Sequence, residues 1–302
     1  GGWFGVELEL NDLDELLESA KSGDRRSLSR LISRIESGEA PIFSSPKCWT
    51  LGITGPPGVG KSTLIGKIAK SWTDIGEKVA VLAFDPASPI SGGSFLADRI
   101  RMEEGGVSGD LFIRSLSSGN NPGGIMSNVE DMCLALSECG WSRILIETVG
   151  SGQSEIRIVA FADRLLLVDG PDRGDVIQAE KAGVLELADV IAVNKSDLPG
   201  AEEAAKNIRI SLGLVSGDER HVHLVSAKNG SGIDSLVKDL DSCETDSSRQ
   251  KLRMRERLIT DWDSLLLSHP EIDSILEKLC DGSITIREAI DSVGSDLAKG
   301  VE

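Results

Sequence analysis

The chain has no tyrosine, and aromatic residues make up 4% of its 302 positions. Stacking platforms for nucleic-acid bases are therefore not expected. Basic charge is also short: 32 Lys and Arg stand against 49 Asp and Glu, a formal net charge of −17. Such a chain lacks the cationic surface that displaces counterions from a phosphate backbone, so no nucleic-acid partner is expected. The acidity reads as a solubility feature. No apolar run approaches the ~18 residues a membrane-spanning helix needs, and no signal-peptide pattern is present, so a cytoplasmic protein without membrane association is expected. Cys48, Cys133, Cys139, Cys243 and Cys280 form no C-x-x-C pair and read as buried thiols in a reducing compartment. His221 and His223 fall on one face of an expected strand, but no cysteine or third histidine lies near them in sequence, which weighs against a metal site. Against these shortages stands a hydrophobic content of 40%, enough for a substantial core.

What is present centres on Cys48 to Lys70, CWTLGITGPPGVGKSTLIGKIAK. Trp49 to Thr54 is an apolar run of strand type. Gly55-Pro56-Pro57-Gly58-Val59-Gly60-Lys61-Ser62 matches G-x-x-x-x-G-K-[ST], and Leu64, Ile65, Ile68 and Ala69 recur at helical spacing. A glycine-rich turn between a strand and a helix lets backbone N–H groups converge on phosphate oxygens, with the helix N-terminus aimed at the same anion. In that reading Lys61 reaches the β and γ phosphates, and the Ser62 hydroxyl ligates Mg²⁺. An ordinary glycine turn is the alternative, and the flanking strand and helix argue against it.

Two amphipathic helices are expected between Leu8 and Glu36, broken at Ser22-Gly23-Asp24 and packed on the core. A linker runs to Lys47. Buried strands are expected at 78–84, ending in Asp85, and at 111–116, 143–147, 162–169, 189–193 and 222–226. Helices should lie between them, so the expected fold is α/β: a doubly wound, mostly parallel P-loop NTPase sheet. The expected division is an N-terminal helical extension over 1–47, a nucleotide domain over 48–240 and a C-terminal helical extension over 241–302. At the start of that last part Arg249, Lys251, Arg253, Arg255 and Arg257 alternate with other residues; alternation spreads charge around a helix, which favours a solvated surface.

Three further motifs end expected strands. Glu147-Thr148-Val149-Gly150 follows an apolar run and resembles the second metal-and-γ-phosphate motif of nucleotide hydrolases, in which Glu147 would hold Mg²⁺ through water and the Gly150 N–H would meet the γ-phosphate; a strand-capping glutamate followed by a turn is the alternative. Asn194-Lys195-Ser196-Asp197 is an N-K-x-D. A carboxylate at Asp197 accepts from guanine N1–H and N2–H₂, whereas adenine offers an acceptor at N1, so GTP is the expected substrate. Asn194 would meet the N7/O6 edge, with the Lys195 stem along the base plane. Ser226-Ala227-Lys228 would offer a backbone N–H to guanine O6.

With these residues placed, the chain resembles the GTPases that chaperone methylmalonyl-CoA mutase, the MeaB/ArgK/MMAA family of the SIMIBI class. The resemblance covers roughly Gly23 to Leu240 and is carried by GITGPPGVGKSTLI, AFDPASPISGGSFLADRIRM, FIRSLSSG, ILIETVGSGQSE and ELADVIAVNKSD. It implies phosphate binding by Gly55 to Thr63, metal-side acidic positions at Asp85, Asp98 and Glu147, and guanine binding by Asn194, Asp197 and Ser226 to Lys228. It implies a third switch over Asp172 to Ala182, a homodimer, and a partner: an adenosylcobalamin-dependent acyl-CoA mutase whose cofactor loading the GTPase assists. The chain departs from the family's G-A-G-D-E-L-Q at Pro171 to Gln178, and after Asp241 no match is placed.

The expected chemistry is in-line attack of water on the γ-phosphate, with charge stabilised by Lys61, Mg²⁺ and backbone N–H groups. Asp85, Asp98 and Gln153 are the candidates for orienting the water. A metal-delivery GTPase and a nucleotide-dependent phosphotransferase are the alternatives; the first calls for clustered His and Cys near the nucleotide, and the second is disfavoured by Asp197.

Overall fold

The computed structural model describes residues 3–85, 109–117, 122–148, 160–171, 179–213, 218, 220–244, 246–267 and 269–299. Its centre is a seven-stranded parallel sheet in the order β3-β2-β4-β1-β5-β6-β7. The strands are β1 (Trp49–Thr54), β2 (Val79–Asp85), β3 (Leu111–Ser117), β4 (Arg143–Thr148), β5 (Arg164–Asp169), β6 (Val190–Val193) and β7 (Val222–Leu224). A parallel sheet covered on both faces needs apolar residues at consecutive positions rather than alternate ones. That is why WTLGIT, RILIET and VIAV are buried almost throughout.

The helices sort by the face they cover. Helices α1 (Trp3–Lys21) and α2 (Arg25–Glu36) form the expected N-terminal pair. Asp24 caps α2, its carboxylate accepting from the N–H groups of Arg26 and Ser27 at 3.1 and 3.3 Å. Leu28, Leu31, Ile32 and Ile35 are then buried with Leu82, Ile144, Ile146 and α4 (Pro122–Glu138) in one core on that side. On the other face α3 (Lys61–Thr73) and α7 (Ile233–Ser242) cover Leu51, Ile53, Val81, Leu145 and Val168. Helices α5 (Ala179–Leu187) and α6 (Ala201–Gly213) close the β5–β7 end around Leu165, Leu167 and Ile191. Helix α8 (Ser247–Leu267) leads to a helical tail of α9 (Ile272–Cys280) and α10 (Ile286–Lys299). Among the described residues no helix is long and apolar enough to cross a membrane.

Helix α8 departs from the sequence expectation. Arg253 is buried and its Nη1 lies 2.7 Å from Asp189 Oδ2. Arg249 Nε is 3.7 Å from Asp189 Oδ1. Arg257 lies over the Phe161 ring, 4.2 Å from its centroid, and pairs with Glu130 at 3.3 Å. At i, i+4 and i+8 these three arginines share one helix face and turn it onto the core. Only Lys251 and Arg255 are exposed in the manner the alternation implied.

Candidate nucleotide site

Strand β1 lies between β4 and β5, and the chain leaves its C-terminal end in the glycine-rich turn. In an open α/β sheet this end, where strand order changes direction, is where ligands are met. Gly55 has φ 146°, and a Cβ there would sit 2.0 Å from the Val168 carbonyl oxygen of β5. Gly60 has φ 87°, and a Cβ would come within 2.6 Å of Asn194 Nδ2. Both positions therefore need glycine, one because the loop crosses β5 and one because it touches the N-K-x-D segment. Pro56 and Val59 are buried, while Pro57 and Gly58 form the exposed lip.

Lys61 is buried at the start of α3, and its Nζ donates to the carbonyls of Gly55 at 2.7 Å and Pro56 at 2.9 Å. The ammonium is thus held inside the curl of the loop by the loop's own backbone. Ser62 and Thr63 follow in the first turn, both half-buried. Ser62 Oγ donates to Glu147 Oε1 at 3.1 Å, across from the end of β4. Mg²⁺ takes hard oxygen donors, and the Ser62 hydroxyl and the Glu147 carboxylate are both of that kind, so the pair fits that ion in chemistry. Asp85 ends β2, next to β4; its side chain, together with Asp98, Gly150, Gln153 and the 172–178 part of the expected switch loop, lies outside the described residues.

The N-K-x-D and Ser226–Lys228 segments converge on the same loop. Asn194 is buried, with Nδ2 donating to the carbonyls of Val59 at 2.9 Å and Gly60 at 3.2 Å. Its Oδ1 accepts from the Ala227 N–H at 3.0 Å. The side chain that the motif places at the guanine edge is therefore also a strut joining three segments. Lys195 has φ 61°, a left-handed backbone uncommon for a non-glycine residue, and half-buries its side chain as the chain turns from buried Asn194 to exposed Asp197. Asp197 Oδ1 accepts from buried Ser226 Oγ at 2.6 Å. That hydroxyl, more than any neighbouring charge, holds the Asp197 carboxyl below its ordinary range, so the group stays ionised at neutral pH. Ala227 is buried and Lys228 is exposed beside it.

The histidines sit elsewhere. His223 Nε2 is 2.7 Å from Asp239 Oδ2 on α7, and the His221 and His223 ring centroids are 6.5 Å apart. Among the described residues no group of three or more His, Cys, Asp or Glu gathers as a metal cluster. The sequence reading missed the second role of Asn194 and the support of Asp197 by Ser226. A serine one position before a loop alanine carries no local pattern that would have revealed it.

A phosphate loop, a hydroxyl–carboxylate pair across from it and an N-K-x-D beside it define a P-loop GTPase. Comparison with known proteins agrees. The profile of the family described as "Methylmalonyl Co-A mutase-associated GTPase MeaB" matches residues 15–269. A Pyrococcus abyssi protein named "Putative GTPase" is 39% identical over 218 residues, covering 70% of this chain and 67% of that one. The mitochondrial methylmalonic aciduria type A homolog of Mus musculus is 36% identical over 232 residues, covering 73% of this chain and 56% of the mouse protein. A crystal structure of an LAO/AO transport system kinase superposes with TM-score 0.59 at 22% identity, over 95% of this chain and 97% of that one, which speaks for the fold alone. The chain belongs to the MeaB family of GTPases. The family match continues through α8, beyond the Asp241 limit read from the sequence.

Proposed function

We propose that this GTPase serves an adenosylcobalamin-dependent acyl-CoA mutase, methylmalonyl-CoA mutase, protecting it or assisting its cofactor loading in a Mg²⁺-dependent nucleotide cycle. The observation that carries the proposal is the family match over residues 15–269, a range that takes in the nucleotide site and α8. In this reading the Gly55–Thr63 loop wraps the phosphates, and Lys61 exchanges the Gly55 and Pro56 carbonyls for phosphate oxygens. That exchange costs little, because one set of oxygen acceptors replaces another around the same ammonium. Ser62 and Glu147 would hold Mg²⁺, which when bound neutralises charge developing on the phosphate oxygens. Asp197 accepts from the guanine N–H edge. Asn194 fixes the distance between base and phosphate sites by tying Val59 and Gly60 to Ala227. Asp85, Asp98 and Gln153 are the proposed water-orienting groups. The proposed assembly is a homodimer, supported by the stripe of Met254, Leu258, Trp262 and Leu265 left exposed on α8.

The test is phosphate release from GTP and from ATP, titrated with purified adenosylcobalamin-dependent methylmalonyl-CoA mutase. Slow GTP-selective turnover that rises and saturates with mutase is expected. GTP turnover indifferent to the mutase would remove the proposed client while leaving the GTPase in place.

A further inference from the structure

The C-terminal rung of the sheet carries two polar atoms that the nucleotide site does not use. Laterally, Leu116 of β3 stands beside Phe84 of β2, and Phe84 beside Thr148 of β4. Thr54 of β1 stands beside Leu167 of β5. Ile53 is paired with Glu147, so Thr54 and Thr148 face each other one residue further on. The rung thus reads Leu116, Phe84, Thr148, Thr54, Leu167: two threonines inside an apolar row. Side chains alternate along a strand. Glu147 points to Ser62 on the α3 face, so Thr148 points to the opposite face, and Thr54 with it.

Thr54 is 1% exposed and Thr148 is 0% exposed. Among the described residues neither Oγ1 has a hydrogen-bond partner. A valine at either position would fill the same volume without burying a hydroxyl, and buried polar groups in folded proteins are nearly always satisfied. The β1–β4 backbone ladder has its last pair at Ile53 and Glu147, whereas β2–β4 runs on to Thr148 and β1–β5 to Thr54. Thr54 and Thr148 thus stand one residue past the last β1–β4 register pair. Neighbouring strands run about 4.8 Å apart, which suits two hydroxyls each about 2.8 Å from a single shared oxygen.

We propose that Thr54 and Thr148 form a buried water site that bridges β1 and β4 one residue past their last register pair. Each threonine adjoins a residue of the nucleotide site, Thr54 before Gly55 and Thr148 after Glu147. The bridge fixes the spacing between the strand that delivers the phosphate loop and the strand that delivers the carboxylate partner of Ser62. Both threonines are positioning residues. This second part rests on the GTPase reading; the water site itself does not.

A high-resolution crystal structure of the whole chain decides the first part. An ordered water within hydrogen-bond distance of both Oγ1 atoms is expected, and a dry or apolar contact between them overturns the site. For the second part, Thr54→Val and Thr148→Val are compared with Thr148→Ser. The valine variants should unfold at or above the wild-type midpoint, bind GDP within about twofold of wild type and lose about tenfold in GTP turnover, because a small misplacement at a reacting centre is amplified in rate. Serine should restore turnover. Valine variants with wild-type turnover overturn the positioning role even if the water is seen. A wild-type protein with no GTP turnover would overturn the GTPase reading, and the density would still decide the water.

Discussion

Arg253→Met tests whether α8 is anchored or merely solvated. Methionine keeps most of the apolar stem and removes the cation. The Asp189 side chain is 1% exposed and would keep two neighbours. Its Oδ2 still accepts the Leu165 N–H at 2.9 Å, and Arg249 Nε remains 3.7 Å from Oδ1. Removing one partner of a buried ion pair costs about 3–5 kcal/mol, chiefly because the other charge stays buried. The remaining N–H and Arg249 place the expected loss near the lower limit, about 3 kcal/mol. Asp189→Asn alone strands Arg253 and should also destabilise. The double variant removes both charges and should be less destabilised than the sum of the single changes by about 2 kcal/mol. Urea unfolding of the four proteins supplies the cycle, and native-state hydrogen exchange of α8 shows whether the helix detaches before the sheet melts. A loss below about 0.5 kcal/mol for Arg253→Met, with no coupling to Asp189, would refute the anchor and return α8 to the solvated helix that its alternating charges imply.

Asp197→Asn keeps the Ser226 contact but presents an N–H where guanine also presents one. GTP affinity should fall about 10–100-fold, the worth of a charge-assisted hydrogen bond, and xanthosine triphosphate should gain relative to GTP; unchanged GTP affinity in a binding titration would remove Asp197 from the base site. Leu258→Glu puts a charge in the middle of the exposed α8 stripe and should shift sedimentation from dimer to monomer without altering far-ultraviolet circular dichroism; a wild-type protein already monomeric at all concentrations would refute that interface. Burial pushes the Cys133 thiol up to about 12 and Cys139 to about 11, whereas Cys280 is exposed. Cys280 should therefore react first in native thiol titration, with Cys133 reacting only on unfolding. Because the folded pKa of Cys133 is raised from an ordinary 9.0, its contribution to stability is complete below pH 9 and is lost as pH rises toward 12; denaturant midpoints that hold constant from pH 8 to 11 would contradict this.

How far the sequence reveals this molecule depends on the range of the interaction concerned. The phosphate loop was legible because its chemistry is local: Gly55, Gly60, Lys61 and Ser62 lie within eight residues, and each has a conformation or contact within the turn and its immediate supports. The strands were legible to within a few residues, since a two-sided parallel strand must be apolar throughout. Asp24 and Gly23 marked the helix break for the same local reason. What escaped depends on lateral order. The five alternating basic residues of α8 looked like one set. A helical turn of 3.6 residues divides them into Arg249, Arg253 and Arg257 on one face and Lys251 and Arg255 on another. Only the fold puts Asp189, sixty-four residues away, in front of the first face. Thr54 and Thr148 likewise read as ordinary strand residues. They become a pair only because the chain, having made β1, β2 and β3 in turn, inserts β4 between β1 and β2. That insertion also brings Glu147 to Ser62 across eighty-five residues of chain. The motif residue and the unmotivated hydroxyl beside it thus share one cause, and substitutions that alter the β1–β4 spacing should affect both.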